Sequence, residues 1–144
     1  MKISTLEKLQ RAVFERLRAL PELKSADICA RGLSPLPDGG RGECSKIEVC
    51  APFPTAASKY TAGPAFSEVS MSIAVSRDNL SSAGAPSALS LAEVVSENLH
   101  NWLAPAETGY GRMSLCENAP WQEIKSPPNV SAMAINFKIQ SVLQ

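Results

Sequence analysis

A chain of 144 residues with fourteen basic and fourteen acidic side chains has no net field to recruit nucleic acid or an anionic membrane. At this length one domain is expected, and folding removes roughly 68–70 per cent of the unfolded chain's accessible surface, enough for a true core. The opening MKISTLEKLQRAVFERLRAL carries a charge every few residues and offers no uninterrupted apolar run, so neither a signal peptide nor a membrane span is expected.

The first element is a helix over about 4–20. Leu6, Leu9, Val13, Phe14, Leu17 and Leu20 fall on one face at 100° per residue, with Glu7, Lys8, Arg11, Glu15 and Arg18 on the other. Ser4 and Glu7 fit a capping box, and Pro21 disfavours continuation. A short strand follows at 26–30, ADICA, and then a Gly- and Pro-rich loop, RGLSPLPDGGRGECS. SKIEVCAPF, about 45–53, alternates Ile47, Val49 and Ala51 with Lys46, Glu48 and Cys50, as a strand does. PTAASKYTAGPA, 54–65, reads as a connection. The strongest strand spans 67–76, where Val69, Met71, Ile73 and Val75 alternate with Ser70, Ser72, Ala74 and Ser76.

After RDNLSSAGAP, a second helix runs over about 88–103. Ser87 or Ser90 is its cap, Ser90 with Glu93 fits a capping box, and Leu91, Ala92, Val95, Leu99, Trp102 and Leu103 share a face. Strands at 109–116 and 130–142 close the chain, the latter alternating Met133, Ile135, Phe137 and Ile139 with Ala134, Asn136, Lys138 and Gln140. The loop between them has room for a short strand at QEIK. Two helices are too few to cover both faces of a sheet, and the strands alternate instead of running continuously apolar. The expected fold is α+β, a mainly antiparallel sheet of about five strands with both helices on one face, in a single domain over 1–144.

Chemistry is harder to find. Cys29, Cys44, Cys50 and Cys116 stand 15, 6 and 66 positions apart with no CxxC pair, so zinc and thioredoxin-type sites are not expected and the cysteines read as small, buried hydrophobes. The only histidine, His100, falls on the polar side of the second helix in its last turn, three residues from Glu97, and reads as a solvated helix-end residue. A small cytoplasmic Cys–His hydrolase, with Cys116 or Cys50 as nucleophile and His100 as base, is the enzyme alternative. Trp102 reads as a core anchor. Trp121, in NAPWQE, either tucks over the sheet edge or is held out for a partner. DGGRGE and TGYGR match no phosphate-binding pattern, no catalytic motif occurs, and Glu117 and Glu123 read as loop charges. No catalytic, cofactor or metal residue is expected.

Charge is unevenly distributed along this neutral chain. Residues 1–46 carry nine Lys/Arg against six Asp/Glu, whereas 87–124 carry five glutamates against Arg112 alone. Lys8, Arg11 and Arg18 on the outer face of the first helix, and Glu93 and Glu97 on that of the second, are candidate self-association residues, with Trp121 as an apolar contact. A third reading is a peptide-binding adaptor whose loops 54–65 and 118–129 gate a sheet edge.

The layout resembles the tail-terminator, or tail-completion, family of long-tailed bacteriophages and prophages. The resemblance lies in an opening helix ending RLRALPEL, in SEVSMSIAVSRDN as a long central strand, in AGAPSALSLAEVVSENLHNWLAP as the second helix with its preceding turn, and in VSAMAINFKIQSVL as the closing strand. It implies a structural protein of virion assembly, without catalysis or cofactor. Such a protein forms a homo-oligomeric ring, with a hexamer as the candidate size, that caps the tail tube and joins it to the head connector. Tail-tube and head-connector proteins are then its partners, with no membrane and no sequence-specific nucleic acid involved. Assembly would occur in the bacterial cytoplasm and end in the virion tail. The four cysteines and the 31–45 segment depart from the family pattern.

Overall fold

Two long alternating segments set the architecture. The computed structural model describes residues 5–30, 45–59, 64–78, 87–125 and 128–142. In it, β4 (Phe66–Asp78) and β7 (Val130–Ser141) pair antiparallel from Glu68↔Gln140 to Asp78↔Val130. Because side chains alternate across a strand, Val69, Met71, Ile73 and Val75 of β4 share one face with Ile135, Phe137 and Ile139 of β7, all of them buried. Each such burial contributes roughly 1.5–3 kcal/mol. Ser70, Ser72, Ala74 and Ser76, with Ala134, Asn136, Lys138 and Gln140, line the opposite face, which no helix among the described residues covers.

The outer edge of each long strand carries two short ones. Along β4 lie β2 (Ser45–Val49) and β3 (Phe53–Ala57), and along β7 lie β5 (Tyr110–Leu115) and β6 (Trp121–Glu123), all antiparallel to their neighbour. β1 (Asp27–Ala30) adds to β2 in parallel. The sheet therefore has seven strands and is mixed, where about five mainly antiparallel strands were expected; the α+β class and the two helices stand.

The extra strands arise from breaks in the expected ones. The 45–53 run breaks after Val49, and pairing with β4 resumes at its last residue, Phe53, and continues to Ala57 into the segment read as a connection. Of that segment, residues 60–63 fall outside the described residues. β6 takes the place of the strand considered at QEIK, one residue earlier. The loops invoked to gate an edge are thus themselves partly strand. The Gly- and Pro-rich residues 31–44, including Cys44, and residues 79–86 also lie outside the described residues.

The covered face receives α1 (Thr5–Arg18) over β1 and β2, and α2 (Ala88–Leu99) over β4, β7 and β5. Leu9, Val13, Phe14 and Leu17 of α1 and Leu91, Ala92, Val95 and Leu99 of α2 join the sheet's apolar residues in one continuous core. Gln10 is also buried, and its Nε2 donates to the Val49 carbonyl at 3.0 Å, fastening α1 to β2. Ser87 caps α2 by accepting the Ser90 N–H at 3.0 Å; Ser90 and Glu93 form no box. Ser4, the expected cap of α1, lies outside the described residues.

α2 ends at Leu99, four residues before its expected end, because His100 is extended and Asn101 takes a positive φ of 66°. Residues beyond then run along β5: Asn101 N–H donates to Met113 O and Ala104 N–H to Gly111 O, and Leu103 bridges Arg112. Leu103, expected in the core, is instead 56% exposed, while Trp102 is half-buried and packs against the core as expected.

The two edge interruptions meet in a single row across the sheet. Cys50 N–H donates to Ser72 O where β2 gives way to β3, and Cys116 N–H donates to Asn136 O where β5 gives way to β6. Ser72 and Asn136 are register partners, and Ser72 Oγ donates to Asn136 Oδ1 at 2.8 Å. Asn136 also donates its side-chain Nδ2 to Ala119 O (3.1 Å) and its backbone N–H to Pro120 O (2.8 Å), holding the turn that carries β6.

Replacing Asn136 by alanine removes two side-chain hydrogen bonds at this junction and is expected to cost about 1–3 kcal/mol in urea denaturation. Asn136→Asp keeps the acceptor for Ser72 but loses the donor to Ala119. Amide exchange in β6 should therefore accelerate in both variants, and a β6 as protected as in the wild type would refute this role.

Candidate functional site

The residues singled out by charge lie on the helical layer. Arg11, Arg18, Glu93 and Glu97 are exposed, Lys8 is half-buried, and none of the five makes an ion pair among the described residues. They are not equivalent. Lys8 and Arg11 line a cleft of about 240 Å³ with Glu15, Pro105 and Glu107 of the 3-10 turn Ala106–Thr108, so acidic side chains balance them locally. Arg18 points elsewhere. Its guanidinium stacks 5.4 Å from the Phe14 ring centre and borders a cleft of about 530 Å³ with Lys24, Asp27 and Ile28 beside β1.

Glu93 and Glu97 stand near the opposite edge. Trp121 of β6 donates its Nε1 to Ser96 Oγ of α2 at 2.8 Å, which turns the Ser96 side of that helix toward β6. Glu93 lies 60° and Glu97 100° around the helix from Ser96, away from the buried face. Of the two placements open for Trp121, the indole therefore takes the inward one: it is half-buried and packs against the core.

His100 is exposed, as expected, but its partner differs. Its Nδ1 accepts the Leu115 backbone N–H at 3.1 Å, tying the end of α2 to β5, instead of pairing with Glu97. This contact requires the tautomer protonated on Nε2. Cys29, Cys50 and Cys116 are not disulfide-bonded, are half-buried instead of buried, and all three fall on the open face of the sheet. The 530 and 240 Å³ clefts, and one of about 330 Å³ along β6 and β7, are lined by neither His100 nor a cysteine. Among the described residues no three His, Cys, Asp or Glu side chains gather closely enough to hold a metal ion. No described helix is long and apolar enough to cross a membrane.

Other surface groups escaped the sequence pattern. Phe53 is 70% and Val142 68% exposed, the largest exposures among the described large hydrophobics, and with Leu103 they fall on the open face. Phe53 is the register partner of Ser70, and Leu103 bridges Arg112. Near them, Glu68 accepts hydrogen bonds from Gln140 Nε2 (3.2 Å) and Thr55 Oγ1 (3.0 Å). The signal for Phe53 was alternation, but it became readable only once β3 was known to pair with β4. No family model matches this chain, and a search of curated proteins finds no match.

The bond from Gln140, then that from Thr55, hold the Glu68 carboxyl below the ordinary glutamate range; burial opposes them and Lys138 assists. A depressed folded-state value means the contribution to stability is present above the unfolded-state value and is lost as pH falls through the folded one. Glu68→Gln should therefore be less stable than the wild type at neutral pH, with the difference closing as pH falls from about 5 to 3. Urea melts across that range test this, and parallel pH profiles for variant and wild type would contradict it.

Proposed function

We propose that this chain is a non-catalytic structural subunit that self-associates head to tail into a ring, as the tail-terminator resemblance implies. The ring caps a phage tail tube and joins it to the head connector, after assembly in the bacterial cytoplasm. The observation that carries the reading is the placement of unlike charges toward opposite edges of one layer. Arg18 stands beside β1, and Glu93 and Glu97 stand on the β6 side, without ion-pair partners in their own chain among the described residues.

A heterologous contact joins two different patches of neighbouring copies and closes into a ring when the rotation permits. Exposed charge pairs contribute only about 0–1 kcal/mol each, so on this reading they set register and association rate while edge contacts supply affinity. Because Glu15 and Glu107 balance Lys8 and Arg11, Arg18 carries more of the basic side of the contact.

Sedimentation velocity at low and high salt tests the proposal. Wild type should form closed oligomers that weaken as salt rises, and the Arg11→Glu/Arg18→Glu and Glu93→Lys/Glu97→Lys variants should each associate at least about tenfold more weakly. Mixing the two variants should restore assembly. A wild type that stays monomeric throughout, or variants that assemble as it does, would exclude the charge-directed ring.

A further inference from the structure

The open sheet face has a self-complementary end that the ring contact does not use. Tyr110 and Met113 both point into the core and pair with Ser141 and Ile139, so two residues of β5, Gly111 and Arg112, oppose Gln140 alone. This bulge turns Arg112 onto the open face. Val142 lies there too, since a Cβ built on Gly111 would sit 3.8 Å from Val142 Cγ1. One row on this face therefore runs Glu68, Gln140, Arg112, Leu103, and the adjacent row runs Phe53, Ser70, Lys138, Ser114.

These groups are arranged evenly about β7. Glu68 lies one strand to one side and Arg112 one strand to the other; Phe53 and Leu103 lie two strands out on either side, about 19 Å apart at about 4.8 Å per strand. We propose that two copies of this chain pair through this face about a two-fold axis running along β7. The operation lays Glu68 of each copy over Arg112 of the other, Phe53 against Leu103 within one row, and Val142 against its own copy.

Charge complementarity selects a second copy as the occupant, because each acid finds a base and each outer apolar side chain finds another. The serines between them are small enough for the sheets to approach. Lys138 lies near the axis and would meet its own copy, but Glu68 on the neighbouring strand offsets its charge. The contact is isologous and independent of the ring: it occupies the sheet face, whereas the ring reading rests on the helical layer and its edges.

The test uses full-length protein carrying Arg11→Glu/Arg18→Glu, in which the proposed ring contact is disabled, in sedimentation from micromolar to near-millimolar concentration at low salt. A two-copy species is expected. Adding Glu68→Arg or Arg112→Glu should weaken it at least about tenfold, since each change sets like charges together at both contacts. A mixture of these two variants should dimerise as well as the parent, because acid again meets base twice. Phe53→Ser/Leu103→Ser, which touches neither charge, should also weaken the dimer while thermal melts show the fold intact. A parent that remains monomeric, reversals that dimerise unchanged, or a mixture no better than its components would each overturn the proposal. The wild type separates the two readings: a ring without this dimer sinks the pairing alone, and a dimer that never closes into larger species sinks the ring alone.

Discussion

The antiparallel pairing of β4 with β7 is the constraint from which the rest of the structure follows. Its register places seven large apolar side chains on one face and small or polar ones on the other, and a slip of one residue would exchange the two sets. Neither helix has anywhere else to bury its apolar stripe. The ribbon is also longer than any strand flanking it, so each of its outer edges needs two short strands in succession. The row of Ser72 and Asn136 is where those successions meet, and there the Asn136 amide, held by the Ser72 hydroxyl, satisfies the Ala119 backbone carbonyl in the turn between β5 and β6.

What could be read in the sequence was what depends on local period. α1, α2, β4 and β7 carry strong 3.6- or 2-residue patterns and appear within a few residues of their expected bounds, because burial on one face is decided by spacing alone. β3 and β6 lack such a pattern. FPTAA is almost wholly exposed and WQE is three residues long, so their strand character comes from a neighbour's unpaired edge and not from their own side chains. The parallel pairing of β1 was hidden for a similar reason, since alternation states which face a residue takes but not which way its strand runs.

The charged residues show the same division. That Arg11, Arg18, Glu93 and Glu97 are exposed followed from helical geometry. Which of them stand near which other charges did not, since Glu107 reaches the first helix through a 3-10 turn almost a hundred residues further along the chain. Net charge by segment therefore overstated the separation. Position relative to the two sheet edges is the better guide, and it leaves Arg18 as the basic residue set apart and Glu93 with Glu97 as the acidic pair.

Among the described residues, positive backbone φ angles cluster around β5, and they explain how the open face acquired apolar side chains. Asn101 (66°) stops α2 and sends 101–104 along the outside of β5, Gly109 (80°) starts the strand, and Ala119 (51°) turns the chain back toward β6. Alanine has no side-chain polar group to favour this conformation, which costs it roughly 1–2 kcal/mol, but the Ala119 carbonyl is held by Asn136. At Gly109 a Cβ would lie 2.7 Å from the Pro64 ring, so the tight approach between the start of β5 and the segment before β4 needs glycine on steric grounds as well. Had α2 continued to Leu103 as its periodicity suggested, that side chain would have joined the core and the outer edge of β5 would have remained open. The early stop closes that edge with backbone hydrogen bonds and transfers a leucine from the covered face to the open one, an exchange that favours closing a sheet edge over burying one more apolar residue.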